Sequence, residues 1–276
     1  MVFHFTKMHG LGNDFVMFNA IDQRVELTPE LCRYIANRHT GIGCDQILVV
    51  ESPRDLTTDF YYRIFNADGS EVEMCGNGAR CFAHFVHQQG LTDKREIDVG
   101  TCNGNLRLFI QENGLVRVNM GTPRREPEQI PFIADQRADS YPLTLEGETL
   151  TIGAVSMGNP HAVLIVENIA SAPVSSVGAR LEQHNRFPQK TNVGFMEICS
   201  RSQVNLRVFE RGTGETMACG SGACAAVVVG QIQGLLDERV EVTLTGGNLV
   251  IEWAGDDAPV WMSGPTATVY QGTIEL

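Results

Sequence analysis

Residues 75–80 read CGNGAR and residues 219–224 read CGSGAC, so one hexapeptide pattern occurs twice in the chain. The two copies lie 144 residues apart (219 − 75). The similarity continues upstream, where DGSE at 68–71 corresponds to GTGE at 212–215 at the same offset. A match that extends beyond a single motif predicts that the chain is built from two copies of one unit.

Further correspondences extend the repeat over most of the chain. They are QGL at 89–91 with 233–235, GNL at 104–106 with 247–249, Gly12-Asn13 with Gly158-Asn159, and Gln46 with Asn192. The period of roughly 120–145 residues is too long for a solenoid. The shared positions are glycines, amides and one cysteine rather than core hydrophobic residues alone. We therefore expect a ligand site in a cleft between two similar halves, rather than a duplication without functional symmetry.

The composition is that of a folded, acidic protein. The chain has 276 residues, which at roughly 150 residues per domain predicts about two domains. Hydrophobic residues make up 43% and charged residues 20%, so wholesale disorder is excluded. The net charge of −12 argues against non-specific binding to nucleic acid or to an anionic membrane. It is compatible with an enzyme that acts on a small molecule.

The N-terminus and the cysteines predict a cytoplasmic protein. Residues 1–15 read MVFHFTKMHGLGNDF and contain no basic segment followed by a long apolar run. Nothing in the chain approaches the roughly 18 consecutive apolar residues of a membrane span. The eight cysteines form no Cys-X-X-Cys pair, so zinc ribbons and thioredoxin-type motifs find no support. We expect a reducing, cytosolic environment.

The sequence of each half predicts a strand-rich α/β unit that wraps around one buried helix. Residues 79–89 are apolar nearly all round and end before Gly90, as a buried helix does. The corresponding segment, 223–233, contains three consecutive valines that would also suit a strand, but its correspondence to the first helix favours a helix. The other predicted elements are helices from Thr28 and over 173–184, and strands over 3–5, 14–19, 47–50, 59–65, 106–110, 116–119, 162–166, 193–198, 204–209, 240–244 and 249–253.

A cysteine at the start of a buried helix suits acid–base chemistry. Backbone N–H groups without partners give a helix N-terminus a partial positive charge, and this charge lowers the pKa of a thiol placed there. Cys75 and Cys219 each precede such a helix start. The amides that follow each cysteine can bind a carboxylate, and glycine lets the backbone approach that ligand closely.

Two such thiols on opposite sides of one carbon would invert the configuration of that carbon. One thiolate removes a proton from one face of a carbon next to a carboxylate, and the opposite thiol delivers a proton to the other face. This chemistry demands no metal and no other cofactor. Pyridoxal phosphate is not indicated, because none of the three lysines, Lys7, Lys94 and Lys190, lies in an obvious apolar pocket sequence.

Polar residues at corresponding positions suit a zwitterionic ligand. The pairs are Asn13 with Asn159, Gln46 with Asn192, and Asn77 with Ser221. These neutral groups can orient a ligand by hydrogen bonds, although each one taken singly more often caps its own turn. The symmetry is broken where Asn66-Ala67 corresponds to Glu210-Arg211. An adjacent acid and base suit a second amino-acid head on the ligand; the alternative is a surface ion pair.

Four segments of the chain resemble the diaminopimelate epimerase family. They are KMHGLGNDF at 7–15, FNADGSEVEMCGNGAR at 65–80, SMGNPH at 156–161 and ERGTGETMACGSGACA at 210–225. The resemblance implies a cofactor-independent isomerase that interconverts LL- and meso-2,6-diaminopimelate, a reaction that feeds lysine and peptidoglycan synthesis. It also implies two similar α/β domains, each a strand barrel around one central helix, with the active site in the cleft between them. The domains expected on this basis are 1–119 with 265–276, and 120–264.

The resemblance further implies roles for individual residues. Cys75 and Cys219 are the acid and the base, with Cys75 taking the proton from the LL isomer and Cys219 from the meso isomer. His161 and Glu210 assist the cysteines, Tyr270 lies in the contact of a homodimer, and no metal takes part. The substrate-binding positions are Asn13, Gln46, Asn66, Gly76, Asn77, Asn159, Asn192, Glu210, Arg211, Gly220 and Ser221.

Four other functions stay open at this point. A related two-cysteine racemase of another amino acid, such as proline, would not need Glu210-Arg211. A dinucleotide-binding protein is suggested by GSGACA at 220–225, with Glu241 about 20 residues farther on, but no strand directly precedes the pattern. A thiol redox protein would use the same two cysteines. A non-catalytic amino-acid-binding module would use the amides without exchanging the α-proton of its ligand.

Overall fold

A thirteen-residue helix begins at each copy of the repeated hexapeptide, over Gly76–Gln88 and Gly220–Ile232. In both, the preceding cysteine has an extended backbone, and its sulfur accepts the N–H of the third helical residue. This is the N-cap arrangement, with a thiol in place of the usual hydroxyl or carboxylate. The valines at 227–229 are helical, as their correspondence to the first helix predicted. Burial of this helix on nearly every side overrides the strand preference of β-branched residues.

The computed structural model describes residues 2–72, 75–102 and 104–275. In chain order its elements are β1 Val2–Gly10, β2 Asn13–Asn19, α1 Pro29–Ala36, β3 Gln46–Glu51, β4 Phe60–Asn66, β5 Glu71–Val72, α2 Gly76–Gln88, β6 Glu96–Thr101, β7 Gly104–Ile110, β8 Val116–Asn119, a 3-10 turn Pro127–Gln129, β9 Tyr141–Leu145, β10 Glu148–Ser156, β11 Pro160–Ile165, α3 Val174–Glu182, β12 Asn192–Ser200, β13 Gln203–Glu210, β14 Gly214–Thr216, α4 Gly220–Ile232, β15 Arg239–Leu244, β16 Gly247–Glu252, β17 Trp261–Gly264 and β18 Ala267–Glu275. Within these ranges no helix is long and apolar enough to cross a membrane.

The chain divides into two units. Unit 1 comprises the residues up to Val118 together with those from Gly264 onward, and unit 2 comprises Asn119–Ser263. Each boundary falls one residue before the one expected from the sequence. That each unit is a folding domain in its own right stays a prediction.

The strands of unit 1 form one mixed sheet. β18 pairs with β1, and β1 with β2, in antiparallel fashion. β2 and β3 are parallel, β3 and β4 antiparallel. β4 then pairs with the short β5 at one end and, in parallel, with β6 at the other. β6, β7 and β8 complete the sheet as an antiparallel meander.

Unit 2 repeats this topology strand for strand. β9 to β13 take the places of β18 and β1 to β4, with the same parallel pair in the middle. β14 to β17 take the places of β5 to β8. The registers agree as well, because Phe15 lies opposite Gln46 and His161 lies opposite Asn192, each pair 146 residues from its counterpart. The duplication predicted from the sequence is confirmed at the level of single residue pairs.

Each sheet carries one helix on each face. α2 contacts β1, β2, β3 and β7, and α4 contacts β10 to β13 and β16, so each sheet curves around its central helix. On the other face, α1 packs over an apolar cluster that includes Phe18 and Ile35. α3 packs over the equivalent cluster, which includes Leu181 and Phe195. The predicted mixed α/β fold, duplicated and built mainly of strands, is confirmed.

Several strands escaped prediction from the sequence. They are β5, β6, β9, β10, β14 and β17. β18 left no sequence pattern either, but the family resemblance implies it as a last strand, within 265–276, that returns to the first domain. β18 is exposed along most of its length, so it lacks the alternation of apolar and polar residues that indicates a half-buried strand. β10 contains Gly153, and a glycine within a run of residues lowers the expectation of a strand. The reason for this glycine is close packing, since a Cβ there would lie 2.3 Å from a side-chain carbon of Val229 on α4.

Candidate active site

Cys75 is held at the start of α2 by contacts on two sides. Its sulfur accepts the backbone N–H of Gly78 at 3.5 Å. On the other side it lies 3.6 Å from the side-chain oxygen of Asn13, which also accepts a hydrogen bond from the amide of Asn77 at 3.2 Å. The thiol is half-buried. The structure therefore brings three of the predicted site residues of unit 1 together.

A tight hairpin turn places Asn13. Gly10 and Asn13 pair across the turn between β1 and β2. The two turn residues, Leu11 and Gly12, both have left-handed backbones, with φ of 57° and 88°. A two-residue turn of this kind matches the twist of the flanking strands, and glycine adopts it without steric cost. Asn13 is thus fixed by the backbone at the first residue of β2.

Cys219 occupies the corresponding place in unit 2, but it is more deeply buried. Its sulfur accepts the N–H of Gly222 at 3.4 Å and lies 3.6 Å from the hydroxyl of Ser221. The residue is only 4% exposed. Like Gly76 in unit 1, Gly220 is the first residue of its helix, where backbone N–H groups have no acceptor within the helix. Both helix starts therefore offer amides to an anionic group.

The helix start does not lower the pKa of Cys219, contrary to the expectation from the sequence. Burial raises the pKa of this thiol well above its ordinary value, and the neighbouring carboxylate of Glu210 raises it further. Hydrogen bonds from Ser221 and from the N–H of Gly222 oppose the shift but are the smaller effects. Desolvation outweighs the helix amides because the thiolate would have to sit in a nearly dry site.

Glu210, the last residue of β13, is oriented by the adjacent strand. The hydroxyl of Thr216 on β14 donates a hydrogen bond to one of its carboxylate oxygens. The carboxylate also takes part in a hydrogen bond with the Cys219 thiol. Thr216 did not stand out in the sequence, because a threonine three residues before a cysteine carries no recognisable signal.

The other predicted site residues of unit 1 hydrogen-bond to one another. Gln46 and Asn66 lie opposite each other on β3 and β4. The side-chain nitrogen of Gln46 donates to the oxygen of Asn66 at 3.0 Å. Asn66 in turn donates to the hydroxyl of Ser70 at 3.1 Å. The two amides form a fixed pair that leaves the second N–H of Gln46 available to a ligand.

His161 and Asn159 form a polar pair in unit 2. The Nε2 atom of His161 lies 3.0 Å from the side-chain oxygen of Asn159. His161 is 1% exposed. Burial, together with the positive charge of Arg211, lowers the pKa of His161 to about 3. The imidazole is therefore neutral near pH 7 and donates Nε2–H to the amide oxygen.

Asn192 and Glu182 fix the turn that carries Arg211. The side-chain oxygen of Asn192 accepts the backbone N–H of Arg211 at 3.0 Å. A carboxylate oxygen of Glu182 accepts the N–H of Gly212 at 2.9 Å. The guanidinium of Arg211 is exposed and donates to the backbone oxygen of Gln189 at 3.0 Å. The backbone is rigidly held while the charged end stays accessible to a ligand.

Tyr270 belongs to a different surface. It lies on β18, is 44% exposed, and packs edge-on against the ring of Phe5 with the ring centroids 5.8 Å apart. It lines a surface groove together with Tyr34, Ile42 and Ile274. None of the contacts described above for the two cysteines involves this groove.

A charged network that was not predicted from the sequence lies beside Asn13. Lys7 pairs with Asp14 at 2.6 Å. Asp14 accepts two hydrogen bonds from Arg38, each of 2.8 Å, and Arg38 also reaches Asp45 at 2.7 Å. Although burial opposes it, hydrogen bonding to Arg38 and Lys7 holds the pKa of Asp14 well below its usual range. The only signal was a lysine and an aspartate within the motif at 7–15.

The described residues contain no group of three or more histidine, cysteine, aspartate or glutamate side chains placed to hold a metal ion. The candidate residues of unit 1 are one thiol and neutral amides; those of unit 2 are one thiol, neutral amides, one carboxylate, one neutral imidazole and one exposed guanidinium. Such a set can bind carboxylate and ammonium groups and can move a proton through sulfur.

Comparison with known proteins identifies the family. A model of the diaminopimelate epimerase family matches residues 5–126 and 153–269. The diaminopimelate epimerase of Thioalkalivibrio sulfidiphilus is 59% identical over 278 residues, covering 100% of both chains.

Solved structures share the fold at much lower identity. A PhzF-family phenazine biosynthesis protein of Bacillus anthracis aligns with a TM-score of 0.72 and 18% identity over 100% of both chains. A hydroxyproline epimerase of Agrobacterium vitis aligns with a TM-score of 0.70 and 12% identity over 99% of this chain and 92% of that one. These likenesses show the fold alone. The family match and the full-length identity go further: this chain belongs to the diaminopimelate epimerase family.

Proposed function

We propose that this protein epimerises diaminopimelate, interconverting its LL and meso isomers without a cofactor, with Cys75 and Cys219 as the acid and the base. One observation carries the proposal. Within a chain of this family, two thiols cap the N-termini of two buried helices at corresponding positions of a duplicated fold. Both helix starts also offer backbone N–H groups to an anionic ligand, next to each thiol.

The proposed reaction starts from the LL isomer. The thiolate of Cys75 takes the α-proton, so the C–H bond breaks and an S–H bond forms, while the electron pair stays on the substrate next to its carboxylate. The backbone N–H groups at the two helix starts, at Gly76 and Gly220, stabilise the negative charge that develops there. The thiol of Cys219 then gives its proton to the opposite face and is left as a thiolate. The meso isomer reacts by the same steps in reverse.

The environment of Cys219 supports its role as the acid in this direction. Burial and the charge of Glu210 raise its pKa, which keeps the sulfur protonated before the LL isomer binds. In the reverse direction the carboxylate of Glu210 accepts a hydrogen bond from the thiol that forms. His161 is neutral and buried, so it assists through hydrogen bonding and shape rather than as a charged acid.

The substrate is proposed to be held at both of its amino-acid heads. The head that reacts is bound at the helix starts, by Asn13, Asn77 and Ser221 and the backbone beside them. The distal head is bound by Asn66, Asn159, Asn192 and the Glu210-Arg211 pair, with Gln46 supporting Asn66. The fixed backbone around Arg211 supports this assignment, because a guanidinium that recognises a carboxylate must be held in a defined position relative to it.

The assembly and the cellular setting are also proposals. Exposed Tyr270 and Val269 on β18, beside the groove lined by Phe5 and Tyr34, suit the contact of a homodimer. The family points to lysine and peptidoglycan precursor synthesis, and a cytoplasmic location is proposed with it.

A substrate comparison tests the proposed function. The enzyme is incubated with LL-diaminopimelate and, separately, with L-proline, and the stereoisomers are separated over time. The proposal expects meso-diaminopimelate to form and proline to remain unchanged. Cys75→Ala and Cys219→Ala should each abolish the conversion, whereas Cys102→Ala, at an exposed position, should not. Conversion of proline but not of diaminopimelate would instead support the amino-acid racemase alternative.

A further inference from the structure

The charged network of unit 1 ends on the side chain that faces Cys75. We call Lys7, Asp14, Arg38 and Asp45 the Asp45 network. One carboxylate oxygen of Asp45 accepts a hydrogen bond from the side-chain nitrogen of Asn13 at 3.1 Å. The same oxygen accepts a hydrogen bond from the backbone N–H of Asp14 at 3.1 Å. The other oxygen accepts one from the guanidinium of Arg38 at 2.7 Å. Asp45 is thereby fixed from three directions.

This contact decides which way the amide of Asn13 points. An ionised carboxylate can only accept hydrogen bonds, so the amide nitrogen must face Asp45. The amide oxygen must then face the other way, toward the sulfur of Cys75 at 3.6 Å and the side-chain nitrogen of Asn77 at 3.2 Å. The acceptor edge of Asn13, and not its donor edge, is presented to the thiol.

The arrangement belongs to the Cys75 half alone. At the offset of 146 residues that relates β1 to β3 with β10 to β12, Lys7, Asp14 and Asp45 correspond to Gly153, Pro160 and Thr191. Asn159, the counterpart of Asn13, directs its oxygen at His161. Within the network, Lys7 and Asp14 form a largely buried ion pair, whereas the ion pair of Arg38 with Asp45 is exposed and contributes little to stability by itself. The position of the network beside one thiol and not the other indicates a role at that thiol.

We propose that Asp45 is a positioning residue for Cys75: by binding the amide nitrogen of Asn13, it keeps the amide oxygen turned toward the sulfur. A carbonyl oxygen at that distance accepts a hydrogen bond from the thiol and aligns its S–H group. It also disfavours the thiolate, which makes the thiolate a stronger base toward a C–H group of the substrate. The catalytic meaning of this effect rests on the proposed function; the effect on the thiol does not.

Of the other titratable groups packed near Cys75, two are neutral and the third acts through Asn77. Burial raises the pKa of Tyr62 on β4 and raises that of Cys81 on α2 to about 12, so both are neutral near pH 7. The guanidinium of Arg80 is fully buried and donates to the side-chain oxygen of Asn77 at 3.0 Å. Because the oxygen of Asn77 faces Arg80, its nitrogen faces the oxygen of Asn13 and favours the same orientation of the Asn13 amide as Asp45 does.

Alkylation of Cys75 in the free enzyme tests the proposal. The folded protein is treated with iodoacetamide between pH 6 and 10, and the Cys75 peptide is followed by mass spectrometry. Asp45→Ala removes the acceptor of the Asn13 nitrogen and leaves only the contact with Asn77 to orient the amide, so its donor edge can turn toward the sulfur more often. Asp45→Ser is a second variant whose hydroxyl is too short to replace the carboxylate. The matched control is Asp59→Ala, since Asp59 also accepts a backbone N–H and pairs with a lysine but does not contact Asn13.

We expect Asp45→Ala and Asp45→Ser to raise the alkylation rate of Cys75 near neutral pH by about fivefold, with the rate profile moved to lower pH. Asp45→Asn keeps an acceptor oxygen and should restore the wild-type rate, and Asp59→Ala should leave it unchanged. In an Asn13→Ala background, Asp45→Ala should have no further effect, because Asp45 acts through Asn13.

Two results would overturn the proposal: a wild-type alkylation profile in Asp45→Ala and Asp45→Ser, or an undiminished effect of Asp45→Ala when Asn13 is absent. Neither result depends on turnover. A wild-type enzyme that fails to convert diaminopimelate would overturn the proposed function and leave the alkylation result intact, so the two failures are distinguishable.

Discussion

The carboxylate of Glu210 lies against the thiol of Cys219, and together with burial it raises the pKa of that thiol well above its ordinary value. The corresponding residue in unit 1 is Asn66, a neutral amide. The two halves thus share a fold and a thiol but surround the thiols with different charge. An enzyme that must hold one sulfur as a base and the other as an acid needs such a difference.

Replacing Glu210 by glutamine should lower the pKa of Cys219. The negative charge that opposes the thiolate is removed, while the larger effect of burial remains, so the shift is only partial. Alkylation of Cys219, followed by mass spectrometry as a function of pH, should be several-fold faster in Glu210→Gln. Glu215→Gln is the control, because it also removes one carboxylate charge from the same hairpin, but that carboxylate pairs with Arg207 at 2.6 Å. Equal alkylation rates in Glu210→Gln and wild type would contradict the assigned influence of Glu210.

The buried neutral His161 should make the protein less stable in acid. Its pKa falls from 6.5 to about 3 on folding, so between these values the unfolded chain binds a proton that the folded chain does not. The stabilisation is complete above pH 6.5 and is lost as the pH falls toward 3. Between pH 7 and 5 the loss is about 2 kcal/mol.

Denaturant unfolding at several pH values measures this loss. His161→Asn should flatten the dependence of the free energy of unfolding on pH below 6.5. His39→Asn, at an exposed position, should keep the wild-type dependence. If both variants follow the wild-type curve, His161 is not the group responsible.

Removing Arg211 should impair the use of diaminopimelate strongly. If the guanidinium binds the distal carboxylate, Arg211→Ala loses transition-state binding on the order of 2–5 kcal/mol, which is about 30-fold or more in kcat/KM. Arg211→Lys should also be poor, since a point charge replaces a bidentate fork. Arg201→Ala, which removes another exposed guanidinium of the same unit, is the control. Wild-type kcat/KM in Arg211→Ala would place the distal head elsewhere.

Oxidation should inactivate the enzyme through a disulfide between Cys75 and Cys219. Two thiols that reach one carbon from opposite sides need only modest closure to bring their Cα atoms within the roughly 4.4–6.8 Å of a disulfide. Cys75, which is half-buried, should react with the oxidant first, and the buried Cys219 should then resolve it. Reductant should restore activity, and bound substrate should protect.

Peptide mapping of air-oxidised protein, with and without diaminopimelate, checks this expectation. The exposed cysteines, Cys102 and Cys199, are the alternatives that mapping must separate. Inactivation that leaves Cys75 and Cys219 as free thiols would argue against the facing arrangement.

The parts of the fold that were predictable are those that leave a repeated or periodic pattern. The hexapeptide located both central helices, and the correspondence between halves outweighed the strand preference of Val227 to Val229. β18 left no such pattern, because its neighbours bury few of its side chains. Gly153 looked like a break in a strand, although it marks the place where Val229 packs closely against β10.

The residues of the candidate site were predictable as types but not as an electrostatic environment. The amides and cysteines recur, so the repeat exposes them. The raised pKa of Cys219 cannot be predicted from the sequence, because it depends mainly on how deeply the fold buries the sulfur. The link from Asp45 to Asn13 joins residues 32 positions apart, and only the pairing of β2 with β3 brings them together.

If two separate thiols act on opposite faces of one carbon, as proposed, the isotope content of the early product will show it. LL-diaminopimelate is converted in deuterated water, and mass spectra of the separated isomers are recorded in the first turnovers. With two bases, the meso product should carry deuterium at the inverted carbon, because its new proton comes from a solvent-exchanged thiol. Recovered LL substrate should carry little label. Early meso product that retains the substrate's own protium would show that a single base moves the proton, and the pairing of Cys75 with Cys219 would be wrong.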